Sequence, residues 1–167
     1  MKQKFNVITS TCIPLPLENV DTDQIIPARF LKATDKEGFG DNLFRDWRYN
    51  KDGSLKKDFV LNDSRYSGVI LVAGKNFGSG SSREHAAWAL EDYGFRCVIA
   101  GSFSDIHYNN ELKNGMLPIV QPLEVRQKLA ALPAGEEITI DLPNQVIKSS
   151  AGEFPFDIDH EWKRKLV

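Results

Sequence analysis

Apolar residues in this chain gather in short blocks, and the blocks predict a sheet before they predict anything else. Residues 69–73, 97–100 and 116–120 are continuous runs rich in β-branched side chains, the pattern of strands buried on both faces. Pro118 in the third run cannot donate to a ladder, which predicts an edge or a strand end. Between the first two runs Ala86, Leu90 and Tyr93 recur at helical spacing up to Gly94, predicting a β-α-β unit with a right-handed crossover. A second helix is expected from an N-cap at Ser102, with Asp105 three residues on, to Gly115, and a third over 124–132, ended by Pro133. Residues 5–15 predict one or two short strands ending at Pro14, and Pro16 then forces a turn. The alternation EITIDL over 137–142, followed by 145–148 and 154–158, predicts an antiparallel meander with turns at Pro143-Asn144 and Ala151-Gly152. Pro27 opens a possible helical turn. Over 33–52 the period is lost among charges, glycines and three exposed-looking aromatics, Phe39, Phe44 and Trp47, which reads as a functional loop.

The first strand run leads into Gly74, Gly78 and Gly80, then Ser81-Ser82-Arg83-Glu84. Ser81 and Glu84 have capping-box spacing, so a helix is expected to start there. Two hydroxyls and a guanidinium at a helix N-terminus favour a carboxylate or phosphate. A P-loop is excluded because no Gly-Lys-Ser/Thr stands here four residues after a glycine, and G-x-G-x-x-G fails because position 83 is Arg. The nucleophile elbow fails as well, since Ser79 lies two before Ser81. Upstream, residues 19–23 place two carboxylates and a Thr before Ile25-Ile26. Such residues either turn the chain through their own side chains or border a site. His107, inside the second helix, reads as a packed or surface residue.

Composition narrows the partners. A net charge of -2, with 21 basic and 23 acidic residues intermixed, offers no electrostatic footprint for nucleic acid or an anionic membrane. At 167 residues, 41% hydrophobic with ten Phe, the chain is expected to form a single domain with an ample core. No apolar run reaches membrane-span length and the first residues lack the apolar core of a signal peptide, so a cytoplasmic protein is expected. Cys12 and Cys97, without a C-x-x-C, read as two reduced thiols. A zinc or iron–sulfur cluster held by this chain alone would need more of them.

Gly78-Ser79-Gly80-Ser81-Ser82-Arg83-Glu84-His85 closely resembles the signature of the swivelling domain of the aconitase superfamily. Asp21-Thr22-Asp23-Gln24-Ile25-Ile26-Pro27 and the downstream Ser102-Phe103, Ile106-His107, Asn110 and Gly115-Met116-Leu117-Pro118 match in order. Within that superfamily the chain is similar to the family of 3-isopropylmalate dehydratase small subunits. The resemblance implies a three-layer β/β/α swivelling domain over 1–167, with a mobile substrate loop at about 33–52. It implies a hydro-lyase of leucine biosynthesis, active only with a large subunit that carries a 4Fe-4S cluster, no metal being bound by this chain. By position in the motifs, Ser81 is the catalytic base. Ser82, Arg83, Asp23 and Thr22 bind a small dicarboxylate, and Gly78, Gly80, Glu84 and His85 support them. Arg29, Lys32, Arg45 and Arg48 are candidate carboxylate ligands on the loop. Small subunits of this family usually continue with a Gly-, Asp- and Leu-rich segment, so a shortened chain is expected. A homoaconitate, citraconate or dimethylmalate hydratase small subunit shares the motifs. Read from its residues alone, the site also fits an anion-binding module without chemistry, and less well a serine hydrolase.

Overall fold

Among the residues described by the computed structural model, 4–31, 39–81 and 83–167, seven strands form one sheet. They are β1 (Val7–Leu15), β2 (Ile70–Ala73), β3 (Cys97–Ala100), β4 (Leu117–Val120), β5 (Glu137–Asp141), β6 (Val146–Ser149) and β7 (Gly152–Pro155), in the order β4-β3-β2-β1-β5-β6-β7. The four strands from β4 to β1 are parallel, and β1, β5, β6 and β7 are antiparallel neighbours. β1 joins the halves as one continuous strand: its first residues pair with β5 (Thr9 opposite Thr139) and its last with β2 (Cys12 opposite Ile70). Pro118 lies on β4, at the edge, where its missing N–H costs no ladder bond.

Alternation along the strands separates two cores. Leu71 and Ala73 of β2, with Val98 and Ala100 of β3, face a cluster completed by α3 (Glu84–Tyr93) and the segment after Pro27. Ile70, Val72, Cys97 and Ile99 face the opposite way. There they meet Val125 and Leu129 of α5 (Leu123–Ala130) and, across the same cluster, Ile138, Ile140 and Ile147 of β5 and β6. The antiparallel limb thus curls over the parallel one, and a single sheet supplies both β layers of the expected β/β/α arrangement. The four fully buried residues of β2 and the four of β3 explain their unbroken apolar runs.

Three elements depart from the sequence reading. Phe39 and Phe44, read as exposed, are 2% and 0% exposed, and Trp47 stacks on Phe44 at 5.4 Å. Residues 39–48 form a short 3₁₀ turn (Phe39–Asn42) and a one-turn α2 (Arg45–Arg48), packed so closely on α3 that a Cβ on Gly40 would lie 2.6 Å from Tyr93 N. The cations proposed there as carboxylate ligands are engaged. Arg48 donates to the carbonyls of Gly40, Asp41 and Leu43, Arg29 pairs with Asp46, and Arg45 lies over the Tyr49 ring. Lys32 and the loop residues 33–38 fall outside the described residues. The chain end is a helix that went unpredicted, α6 (His160–Leu166), capped by the Asp159 carboxylate on the Glu161 and Trp162 amides and basic in its last turn, as the helix dipole favours. Lastly, α4 (Asp105–Lys113) is capped by Ser104 rather than Ser102, because the Ser102 hydroxyl accepts from the Asn76 amide at 2.8 Å.

Candidate active site

Parallel pairing continues beyond the ends of β1 and β2 into the loops. Gly74 N donates to Leu17 O at 3.0 Å, Asn19 N to Lys75 O at 2.8 Å, Gly78 N to Val20 O at 2.7 Å and Thr22 N to Ser79 O at 2.8 Å. From the other side Phe77 N donates to Ser102 O and Ser104 N to Phe77 O, at 3.0 and 3.1 Å, while the Ser104 hydroxyl donates to Gly78 O at 2.8 Å. The glycine-rich turn is therefore laced between the loops that follow β1 and β3, beyond the carboxyl ends of parallel strands, where open α/β sheets bind ligands. Gly78 and Gly80 occupy left-handed backbone at φ +80° and +92°, which favours residues without a Cβ.

Ser81 is exposed at a cleft of about 250 Å³ that it shares with Thr22, Arg83, Ser104, His107 and Asn110. The expected capping box is not formed. α3 begins at Glu84 with Arg83 as an extended N-cap and no side-chain cap, and the Glu84 carboxylate instead accepts from Asn114 Nδ2 at 3.2 Å. The Ser81 carbonyl accepts from Thr22 Oγ1 at 3.0 Å and Arg83 N at 2.9 Å, holding the residue outside the helix. Its hydroxyl makes no hydrogen bond among the described residues. Arg83 Nη1 lies 3.5 Å from Asp23 Oδ1, an ion pair without hydrogen-bond geometry, so this buried donor is still without an acceptor among the described residues. Asp23 Oδ1 also accepts from Ala28 N at 2.9 Å, across α1 (Thr22–Ile25). Asp21 caps α1 in a full capping box with Gln24, a D-x-x-Q signal that the sequence carries. His85 is packed between Phe39 and Trp88, with ring centroids 5.5 and 4.7 Å away. Thr22, Asp23, Gly78, Gly80, Ser81 and Arg83 thus converge, Glu84 and His85 lie behind them, and Ser82 falls outside the described residues.

One lining residue carries a partner that sequence reasoning missed. His107 Nε2 is 2.7 Å from Glu111 Oε2, with side chains 1% and 0% exposed. Burial holds the Glu111 carboxyl above its usual range, and His107 opposes that shift. The i,i+4 spacing was legible; the burial was not.

Among the described residues no group of three or more His, Cys, Asp or Glu could hold a metal. Cys12 and Cys97 both lie opposite Ile70, one on each flanking strand. Two inter-strand spacings place them about 9–10 Å apart, too far for a disulfide. Burial pushes the Cys12 thiol up to about 12 and Cys97 well above its ordinary value. At pH 8 a thiol with that pKa is about 10⁻⁴ ionised. Iodoacetamide is accordingly expected to leave both cysteines unmodified in the native chain and to label both after denaturation, as intact mass would read; fast native labelling would contradict the burial.

The chain matches the family model of the aconitase C-terminal domain over residues 2–124, and the model LeuD_N over 128–160. It is 60% identical over 166 residues to the 3-isopropylmalate dehydratase small subunit of Lactococcus lactis subsp. cremoris MG1363, covering 99% of this chain and 87% of that one. The corresponding protein of Streptococcus sanguinis SK36 is also 60% identical, over 167 residues, with 99% and 85% covered. The crystal structure of 3-isopropylmalate dehydratase from Methanocaldococcus jannaschii superposes with a TM-score of 0.71 at 28% identity, covering 95% of this chain and 86% of that one. With that fold, these motifs and whole-chain similarity at this level, the chain belongs to the family of 3-isopropylmalate dehydratase small subunits.

Proposed function

We propose that this chain supplies the base-bearing half of a hydro-lyase site that isomerises 2-isopropylmalate to 3-isopropylmalate through isopropylmaleate, a step of leucine biosynthesis. The observation that carries the reading is the pairing, in one cleft, of an unbonded Ser81 hydroxyl with an Arg83 guanidinium that has a donor to spare. Ser81, as alkoxide, takes the proton from the carbon next to the one that bears the substrate hydroxyl. A serine hydroxyl is a weak acid, so its anion requires nearby donors, and the guanidinium and the side-chain-free start of α3 stand beside it. Arg83 receives a substrate carboxylate in its planar fork, with Ser82 as a second ligand. Asp23 orients Arg83 across the 3.5 Å ion pair, and buried Thr22 fixes the Ser81 backbone. A 4Fe-4S cluster on the large subunit supplies the Lewis acid for the departing hydroxyl. The two thiols here, separated by β2, leave the cluster's ligands to that partner. The loop at about 33–52 is read as shaping the choice of substrate.

Anaerobic co-purification with the cluster-bearing large subunit tests this reading, with isopropylmaleate followed by its ultraviolet absorbance. Neither chain alone is expected to turn over, and the mixture is expected to form the conjugated acid from either isomer. Turnover of a homoaconitate-, citraconate- or dimethylmalate-type substrate in place of isopropylmalate would assign the chain to a sister hydro-lyase. Binding of a dicarboxylate without turnover by the assembled pair would reduce the cleft to an anion site.

A further inference from the structure

We infer that the buried pair His107–Glu111 is a positioning element that sets the height of the Gly78–Ser81 turn and so aims Ser81 into the cleft, an inference that rests on Ser81 being the base. The imidazole forms the floor of that turn. A Cβ on Gly78 would fall 2.2 Å from His107 Cγ and 2.5 Å from Cβ and Cδ2, so the glycine backbone lies directly on the ring. The neighbouring Phe77 ring meets the imidazole edge-on at 5.4 Å. The start of α4 grips the same turn by hydrogen bonds, with His107 N donating to Ser104 Oγ at 3.3 Å and Ser104 Oγ donating to Gly78 O at 2.8 Å. Among the described residues, the bonds across the turn beyond Gly78 come from the side of β1, Thr22 N donating to Ser79 O and Thr22 Oγ1 to Ser81 O. The ring is therefore the surface against which those lateral bonds pull.

Glu111 determines how the ring sits. Its Oε2 faces His107 Nε2 at 2.7 Å, while Glu111 Oε1 and His107 Nδ1 are buried without a partner among the described residues. An apolar pair would fill this space without orphaned polar atoms, so packing alone does not account for it. What the hydrogen bond adds is a fixed imidazole orientation beneath the turn that carries the base.

Two substitutions in the complex with the large subunit separate this role from simple packing. Glu111→Leu keeps the volume and removes the hydrogen bond, whereas Glu111→Gln keeps both volume and a hydrogen-bonding group. A base displaced by a fraction of an ångström loses rate rather than substrate affinity, so Glu111→Leu is expected to lower kcat by about 10- to 100-fold. KM is expected to stay within about twofold. Hydrogen exchange at the Gly78 and Thr22 amides, both bonded across the turn, should quicken by about tenfold in the same variant. Glu111→Gln should restore both readouts. Unchanged exchange at these amides in Glu111→Leu would overturn the inference whatever the activity does, as would a raised KM with unchanged kcat. An inactive wild-type complex would count against the Ser81 reading alone, since the exchange comparison still decides the positioning role. Should Glu111→Leu not fold, His107→Gln removes the ring but keeps a partner for Glu111. Faster exchange is again the expected result and unchanged exchange the overturning one.

Discussion

Ser81→Ala is expected to abolish nearly all turnover of the two-chain enzyme while leaving its fold and assembly intact. The local structure allows this separation because everything that holds residue 81 in place passes through its backbone. Thr22 Oγ1 and Arg83 N both donate to its carbonyl, and alanine keeps that carbonyl. The hydroxyl has no hydrogen bond to lose among the described residues and does not cap α3, so stability should change by no more than about 0.5 kcal/mol. Loss of a general base typically costs about 10²- to 10⁴-fold, and the upper part of that range is expected for kcat because no other described side chain in the cleft duplicates the hydroxyl's position. KM should move little, since Arg83 is untouched. The test is steady-state kinetics on the co-purified complex beside a thermal melt of the variant. A variant that assembles and retains wild-type kcat would end the assignment of Ser81 as base and return the cleft to carboxylate binding.

The contrast between the hydroxyl's freedom and the capping box expected at Ser81 and Glu84 shows where sequence reasoning reached and where it stopped. Strands announce themselves through composition, so β2 and β3 could be read from VILVA and CVIA, and the edge place of β4 from Pro118. The convergence of Thr22, Asp23, Ser81 and Arg83 followed from motifs that resemble a family, together with the rule that loops at strand ends make sites. Hydrogen-bond choices are different, because several serines and acids compete for each amide and only the tertiary fold selects among them. Ser102 is drawn off to Asn76, which leaves Ser104 to cap α4; Glu84 is drawn off to Asn114, which leaves α3 uncapped. Burial is likewise decided at a distance. Phe39 and Phe44 sit among charges in the sequence, yet Arg48 ties down the carbonyls around them and turns their rings into the core. Glu111 reads as an ordinary helical acid, and only the fold leaves it 0% exposed and bonded to a buried His107.

Gly78→Ala is the substitution in which stability and catalysis should fail together, and Gly80→Ala is its control. Both glycines occupy left-handed backbone, where an L side chain costs about 1–2 kcal/mol. They differ in what a methyl group would meet. At Gly80 the nearest atom is Asp21 Cβ at 3.4 Å, an ordinary contact, so the backbone term stands almost alone. At Gly78 the methyl would fall 2.2 Å from His107 Cγ, a ring pinned by Glu111 and flanked by Phe77, and no flexible chain end is available to move aside. Overpacking of this kind adds about 1–3 kcal/mol. Gly78→Ala should therefore destabilise the chain by about 2–5 kcal/mol in denaturant unfolding, against about 1–2 kcal/mol for Gly80→Ala. If the variant folds at all, the turn must lift off the ring to admit the methyl, carrying Ser81 with it, and kcat should fall by about 10²-fold or more. Equal losses of stability in the two variants would mean that the imidazole yields freely, and a yielding ring could not serve as the floor of the turn.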